Sequence, residues 1–159
     1  MYHYFVRRRI ATIVEHLNRG DFAFILRQFA PAAEHWFSGN HALAGSRHSP
    51  ALRKAWYDRL AAVLPGIQFD VRKVAVSGPP WRTIVAVEWT DRVFDSRGAE
   101  LMPNQGVFML TLRWGRAVEF HVYCDTQGLA GNLAVVASQG VPDAALPPLT
   151  DVPRLAAAN

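Results

Sequence analysis

One stretch near the end of the chain places several groups with acid–base chemistry in a regular pattern. Residues 112–127 read LRWGRAVEFHVYCDTQ, which predicts two strands joined by a tight turn. Side chains alternate between the two faces of a strand, so every second residue of the second strand belongs to one polar row. The members of this row are Glu119, His121, Tyr123 and Asp125. Carboxylate, imidazole and phenol groups can transfer protons or orient a carbonyl oxygen.

Asp125 is the candidate acid or base. Burial beside Tyr123 and tryptophan rings would raise its pKa, which suits proton transfer. We therefore predict that Asp125 faces a pocket and is catalytic, with His121 and Tyr123 as ligand-binding neighbours. Two alternatives stay open, because Asp125 can cap the turn after it and His121 can lie on a solvated or dimer-facing surface. His121 and Asp125 are about 13 Å apart along a strand, so they do not contact each other.

Four further residues are candidate ligand-binding groups. Asn104 comes just before a strand, where its amide can orient a ligand oxygen or simply form a turn. Trp89 lies in the middle of a strand and lines the interior if its face is the inner one. Trp56 lies on a helix and is either a core residue or a shelf for a ligand. His35 is the fourth, and its assignment comes from the family resemblance given below.

No metal site or cofactor site is predicted. His35, His41 and His48 are irregularly spaced, and no cysteine or carboxylate joins them at a metal-ligand spacing. The chain has no phosphate-binding glycine loop, no dinucleotide fingerprint and no Gly-x-Ser-x-Gly motif. We therefore expect chemistry without a cofactor.

Three helices are predicted ahead of the main sheet. Apolar residues recur at helical spacing over residues 4–19, which indicates an amphipathic helix. A short second helix follows the capping residue Asp21. Ser49-Pro50 starts the third helix, which runs to Leu64.

The remaining pattern predicts strands, because apolar residues recur at every second position. A short strand is predicted at residues 33–38 among the helices, and longer ones at residues 83–90 and 106–114. The alternation that starts at Ile67 changes phase near Arg72, which predicts a β-bulge that bends the strand. Three N-terminal helices packed on a strongly curved antiparallel sheet are an α+β architecture, a cone with an internal cavity.

Residues 1–138 are predicted to form one domain and residues 139–159 a poorly ordered tail. The length suits a single domain, and 50% of the residues are hydrophobic, enough for a sizeable core. The tail is rich in proline and alanine. Both faces of the middle strands are apolar and helices can cover only one face, so we expect a homodimer through the sheet.

The composition argues against several classes of partner. The net charge is +4, but Arg7, Arg8 and Arg9 form the only basic cluster and a helix spreads them around its axis, so nucleic-acid binding is not expected. The sequence contains no run of about 18 apolar residues and no evident signal peptide, so no membrane partner is expected. Cys124 is the single cysteine, which fits a reducing compartment and predicts a cytoplasmic protein.

The chain resembles the nuclear transport factor 2-like superfamily, and within it the SnoaL-like branch, over residues 4–135. The helical N-terminal third, the Pro65-Gly66 break before the sheet and the final Tyr123-Cys124-Asp125 carry this resemblance. It implies a cone-shaped domain that is commonly dimeric through its sheet. Members include polyketide cyclases, ketosteroid isomerases and limonene epoxide hydrolases, as well as many proteins without catalysis.

The resemblance also implies roles for particular residues. In the cyclases and epoxide hydrolases a carboxylate at the end of the last strand acts in proton transfer, and this position matches Asp125. The epoxide hydrolases add an Arg-x-Asp pair, whose nearest match here, Arg92 to Asp95, is one residue too long. Where the ketosteroid isomerases have a carboxylate base, this chain has His35 and other polar residues.

Two functions follow from these observations. The first is binding of a small, mostly apolar molecule in the cone, with cofactor-independent acid–base chemistry of the isomerase, cyclase or hydrolase type. The second is a non-catalytic ligand-binding, dimerisation or protein-interaction module of the same fold.

Overall fold

The computed structural model describes residues 1–151 of the chain. Its helices are α1 (Tyr2–Asn18), α2 (Phe22–Leu26), α3 (Pro50–Val63) and α4 (Thr126–Ser138), followed by a 3₁₀ turn at Pro142–Ala145. Its strands are β1 (Phe29–Phe37), β2 (Gly45–Arg47), β3 (Gln68–Ser77), β4 (Thr83–Arg92), β5 (Gln105–Arg113) and β6 (Arg116–Cys124). The three predicted N-terminal helices are confirmed, and α4 adds a fourth.

Capping residues and apolar spacing explain where the helices lie. The Asp21 carboxylate accepts a hydrogen bond from the Phe24 backbone N–H (3.1 Å) at the start of α2. The Ser49 hydroxyl accepts one from the Leu52 N–H (3.2 Å) at the start of α3. The buried stripe of α1 consists of Val6, Ile10, Val14 and Leu17.

The six strands form one curved sheet in the order β2-β1-β6-β5-β4-β3. β1 runs parallel to β6, whereas the other neighbouring pairs are antiparallel. The predicted α+β cone is confirmed, but the sheet is mixed rather than antiparallel. The difference arises because β1 pairs with β6, a strand much later in the chain, and no local sequence pattern predicts such a long-range contact.

The two faces of the sheet are clearly distinguished in β4. Its odd-numbered residues are buried, and its even-numbered residues are half-buried or exposed. We call the buried face, which the helices cover, the concave face and the other the convex face. The predicted bulge is confirmed, because the pairing of β3 with β4 changes register between Val71 and Lys73.

Residues 139–151 pack against the domain, so the prediction of a poorly ordered tail is wrong for this segment. Buried arginines hold its backbone. Arg47 Nε donates to the Leu149 carbonyl (2.9 Å), and Arg59 Nη1 donates to the Pro147 carbonyl (2.8 Å). This packing cannot be predicted from a composition rich in proline and alanine, because the hydrogen-bond donors to the segment's backbone are side chains far away in the sequence.

The described structure ends at Asp151, so residues 152–159 of the predicted tail lie outside it. The domain boundary at residue 138 therefore stays a prediction. Within residues 1–151, none of the helices has the length and hydropathy needed to cross a membrane.

Candidate functional site

Two adjoining chambers lie between the helices and the concave face of the sheet. The outer chamber has a volume of about 190 Å³ and is lined almost wholly by apolar side chains of α1, β4, β5 and β6. It opens to solvent beside Phe5, Arg9 and Gln28, since Phe5 is 59% exposed. A cavity of roughly 150 Å³ can hold benzene, so the outer chamber suits a molecule of one or two rings.

The inner chamber lies deeper and has a volume of about 50 Å³. Trp56, Trp89 and Asn104, three of the candidate ligand-binding residues, line it, and their role in binding stays a prediction. The residues that line both chambers are Leu17, Tyr57, Phe108 and Phe120. The chambers therefore adjoin across these four side chains, and the inner one lies toward the C-terminal end of β4.

Asp91 is the carboxylate of the inner chamber, and it was not predicted from the sequence. It occupies the last buried position of β4, on the same face as Trp89, and is 7% exposed. Its Oδ1 accepts a hydrogen bond from the Asn104 backbone N–H (2.6 Å), and its other oxygen has no hydrogen-bond partner among residues 1–151. Loss of hydration raises the pKa of the Asp91 carboxyl, which the Asn104 hydrogen bond only partly opposes.

A buried donor without a partner accompanies this carboxylate. The indole Nε1 of Trp89 is buried in the structure with no hydrogen-bond partner. Residues two apart on one strand face are about 7 Å apart, so Trp89 and Asp91 can contact one small ligand together. Tyr57 lines both chambers, and loss of hydration raises the pKa of its hydroxyl, which therefore stays protonated as a donor. Buried donors of this kind favour a ligand with an oxygen acceptor.

The thiol of Cys124 also lines the inner chamber, but it is not a nucleophile at neutral pH. Loss of hydration, followed by the charge of Asp91, raises the pKa of the Cys124 thiol to about 11. A thiolate is the reactive form, so this cysteine contributes an apolar wall.

Asp125 lies just after β6 and outside the residues that line either chamber. Its Oδ1 accepts hydrogen bonds from the backbone N–H groups of Gln127 (3.1 Å) and Gly128 (3.0 Å). Asp125 is thus the N-cap of α4, the structural alternative to a catalytic role. Its catalytic role stays a prediction from the sequence, and no contact described here adds to it.

Asn104 connects the two carboxylate positions. Its side chain binds the backbone of Asp125 on both sides, with Nδ2 donating to the carbonyl (2.9 Å) and Oδ1 accepting from the N–H (3.1 Å). Its own N–H holds Asp91. The Asn104 amide is therefore occupied by backbone, and its contact with Asp91 is a positioning one.

His121 and Tyr123 lie on the convex face, away from both chambers. The Nε2 of His121 is 3.0 Å from the Glu34 carboxylate, and Tyr123 is 46% exposed beside the ring of Trp36. This is the dimer-facing or solvated location that the sequence left open. Their predicted ligand-binding role has no support from the position of the cavity.

His35 lies on the concave face but in the core rather than in a chamber lining. Burial and the neighbouring Arg47 cation hold the pKa of His35 well below its ordinary value. Arg47 Nη1 lies 3.1 Å from Nδ1. Because arginine can only donate, Nδ1 is the acceptor and the neutral ring carries its proton on Nε2. That buried Nε2 has no partner in the described structure.

The Arg92–Asp95 pair does not form. Arg92 binds the Glu100 carboxylate (2.9 Å), whereas Asp95 accepts backbone N–H groups of Arg97 and Ala99. Across residues 1–151, no three histidine, cysteine or acidic residues converge in an arrangement that could hold a metal ion.

Comparisons with known proteins agree with this architecture. The sequence profile of the SnoaL-like domain matches residues 10–120. The comparison with curated proteins gave no match. Among solved structures, an NTF2-like protein of unknown function from Burkholderia pseudomallei is similar, with 19% identity, coverage of 79% of this chain and 94% of that chain, and a TM-score of 0.68.

Two further structures share the fold. TerC, co-crystallised with polyporic acid, has 23% identity, coverage of 77% of this chain and 92% of that chain, and a TM-score of 0.64. IdmH from Streptomyces antibioticus, proposed to be a polyketide cyclase, has 20% identity, coverage of 79% and 95%, and a TM-score of 0.61. At such identities the likeness establishes the fold alone.

Proposed function

Because the chain belongs to the SnoaL-like domain family, we propose that it binds a small, mostly apolar molecule in its cone and transfers protons on it through Asp91. The observation that carries this proposal is the buried carboxyl that lines the mostly apolar inner chamber. Fold relatives that hold a small molecule, or are proposed to act on polyketides, are consistent with it.

The proposed chemistry is cofactor-independent acid–base catalysis, of the kind that isomerases and cyclases use. The Asp91 carboxylate removes a proton from the carbon beside a ligand carbonyl, and the electron pair moves onto the carbonyl oxygen as an enolate. The unpartnered Trp89 N–H is suited to hydrogen-bond that oxygen. The protonated Asp91 then returns the proton to a different carbon of a conjugated enolate, and the carbonyl re-forms as the double bond shifts, which completes an isomerisation without any other reactant; return to the same carbon gives hydrogen exchange alone. A raised pKa suits both steps.

Deuterium exchange tests this chemistry without knowledge of the natural substrate. One- and two-ring ketones such as 1-tetralone are incubated with the protein in deuterium oxide, and uptake beside the carbonyl is followed by mass spectrometry. We expect catalysed exchange that falls at least about a hundredfold in Asp91→Asn, since acid–base groups contribute roughly 10²–10⁴. Ketone affinity, measured by NMR, should change little.

Asp125→Asn is the matched variant, because asparagine also caps helices and keeps α4 in place. Its exchange rate should equal that of the wild type. Loss of exchange in this variant, with full exchange in Asp91→Asn, would instead assign the chemistry to Asp125. Binding with no exchange in any protein would leave the non-catalytic ligand-binding alternative.

The stability of Asp91→Asn gives a second readout. A carboxyl whose pKa is raised on folding costs stability above that pKa, because the folded state then retains a buried charge. At neutral pH the variant should therefore be more stable than the wild type. This difference in stability should shrink as the pH falls through the raised pKa, because the Asp91 carboxyl of the folded wild type then becomes protonated and neutral. Urea unfolding at several pH values measures it.

The proposal includes a cytoplasmic homodimer that pairs through the convex face. Its support is that the helices cover only the concave face, and Ile84 and Tyr123 stay 36% and 46% exposed on the other. Light scattering should give the mass of a dimer at micromolar concentration, and Tyr123→Glu should shift it toward the monomer. A wild-type protein that scatters as a monomer would contradict this part.

A further inference from the structure

Two hairpin turns and the first turns of α1 meet at one end of the domain. The Trp114 N–H donates to the Pro80 carbonyl (2.8 Å), which joins the β5–β6 turn to the β3–β4 turn. The His3 ring nitrogen Nε2 donates to the Gly78 carbonyl (2.8 Å), which joins α1 to the same turn. We call residues 1–9, 78–84 and 113–116 the turn end.

The turn end exposes an unusual number of aromatic rings. Tyr4, Phe5, Trp81 and Trp114 are 58%, 59%, 59% and 74% exposed. The two tryptophan rings lie 6.2 Å apart, one on each turn. Trp114 also has a φ of 50°, a left-handed conformation that bulky residues rarely adopt. Local backbone preference does not explain a tryptophan there, and strain of this kind clusters at functional surfaces.

The charge of the turn end is entirely positive. It carries six arginines, namely Arg7, Arg8, Arg9, Arg82, Arg113 and Arg116. The segments 1–14, 71–87 and 101–118 contain no aspartate or glutamate. None of the six guanidinium groups forms an ion pair within the described residues.

The apolar cavity opens at this same end. Tyr2, Phe5, Arg9 and Gly115 all line the outer chamber. Phe5 and Arg9 therefore border the mouth through which an apolar ligand enters, and the other exposed rings and arginines lie at the same end of the domain.

Although the sequence led us to expect no membrane partner, we propose that the turn end docks onto the surface of an anionic lipid membrane without crossing it. Tryptophan favours the membrane–water interface, where its ring is apolar and its N–H is hydrated. Arginines beside it bind the phosphate and other anionic groups of the lipid headgroups. In this orientation the cavity mouth faces the bilayer, and an apolar ligand passes from lipid into the outer chamber without crossing water.

Charge and shape select a membrane over other occupants. A second copy bound through the same end would place six arginines against six, which is repulsive. A nucleic acid matches the arginines and could stack on the exposed rings, but it would place phosphates over an apolar opening. A lipid surface matches the arginines, the interfacial rings and the opening together.

Vesicle binding tests the proposal in the absence of any ligand, so its result does not depend on the role of Asp91. The full chain is sedimented with phosphatidylcholine vesicles that either contain or lack phosphatidylglycerol. We expect binding to the anionic vesicles at least about tenfold tighter than to the neutral ones, and weaker binding in high salt.

Two double variants probe the rings and the charges separately. The Trp81→Ser, Trp114→Asn double variant places asparagine, which tolerates a positive φ, at position 114. This variant should bind anionic vesicles at least about tenfold more weakly than the wild type. Arg8→Gln with Arg113→Gln should weaken it about 25-fold, since each surface cation contributes about fivefold. The matched controls are Met102→Ser and Arg19→Gln with Arg97→Gln. These exposed residues lie toward the other end of α1 and β4, and their variants should bind like the wild type.

Direct insertion gives a readout that a folding defect would not imitate. Brominated lipid should quench tryptophan emission of the wild type and leave that of the Trp81→Ser, Trp114→Asn variant unchanged, with thermal melts confirming that both are folded. A wild type that does not sediment with anionic vesicles overturns the proposal. A Met102→Ser control that loses as much binding as the tryptophan variant also overturns it. Binding to an oligonucleotide or an acidic peptide, without binding to vesicles, has the same consequence.

Discussion

Replacing Arg47 by methionine is expected to lower the free energy of unfolding by about 3–5 kcal/mol. Arg47 is fully buried, with 0% exposure, and it makes four hydrogen bonds. The acceptors are the carbonyls of Leu149, Ala44 and Gly45 and the Nδ1 of His35. Methionine fills most of the volume but leaves these acceptors without donors.

Within residues 1–151 no carboxylate forms an ion pair with this cation. Its charge is stabilised by the hydrogen bonds, by the Trp56 ring, 5.4 Å away, and by the more distant charge of Asp151. Loss of hydration lowers the pKa of the Arg47 guanidinium to about 10, which still leaves it charged at neutral pH. Each buried acceptor that loses its donor costs about 1–3 kcal/mol, although such costs do not simply add.

Urea unfolding followed by circular dichroism measures the effect. The matched control is Arg113→Met at an exposed position, where we expect a change within about 0.5 kcal/mol. Because Leu149 is among the partners, protease cleavage in segment 139–151 should also become faster in Arg47→Met. An Arg47→Met protein that unfolds like the wild type would show that water or the segment itself can satisfy these groups.

Replacing Gly106 by alanine is expected to destabilise the fold by about 3 kcal/mol. Gly106 lies in β5 between Trp89 of β4 and Cys124 of β6. A Cβ at this position would overlap the Tyr123 carbonyl oxygen and lie 2.7 Å from Cζ2 of the Trp89 ring. The carbonyl belongs to the backbone of β6, so relief requires the two strands to move apart.

The same substitution should also alter the site. The Trp89 ring lies over Gly106 and lines the inner chamber, so pushing the ring away changes the wall beside Asp91. We expect both a lower unfolding free energy and at least about tenfold weaker ketone binding at temperatures where the variant is folded.

Gly131→Ala is the control for Gly106→Ala, and it should raise the free energy of unfolding rather than lower it. Gly131 lies in α4, and a Cβ at this position would have nothing within 4 Å, so alanine should stabilise the helix by about 0.5–1 kcal/mol. Thermal melts of the two variants, run together, compare a crowded glycine with an open one. Equal melting temperatures would mean that β5 and β6 can separate locally without cost.

Several parts of the fold were predictable because their signals are local. The spacing of apolar residues located the helices, and the change of phase at Arg72 located the bulge. The hairpin at Gly115 was predictable because glycine is favoured where φ is positive, and its φ is 79°. Segment 139–151 was not predictable, since buried arginines elsewhere in the chain hold it in place.

The candidate site was only partly predictable. Trp56, Trp89 and Asn104 line the inner chamber as the sequence suggested, and their role in binding stays a prediction. Asp91 follows Val85, Val87 and Trp89 in the same alternation, which was the available signal. It was missed because Ile84 and Ala86 make the other face of β4 look equally apolar.

By itself, the sequence determined the types of the elements, their order and the α+β class, because periodicity and capping act over a few residues. Only the tertiary structure decided which carboxylate lies in the cone. In the structure, Asp125 caps helix α4, whereas Asp91 is the buried carboxylate. The reason is that the inner face of a strand is chosen by its neighbours in the sheet and by α1 packing over them. A pKa, in turn, depends on how far those distant groups exclude water.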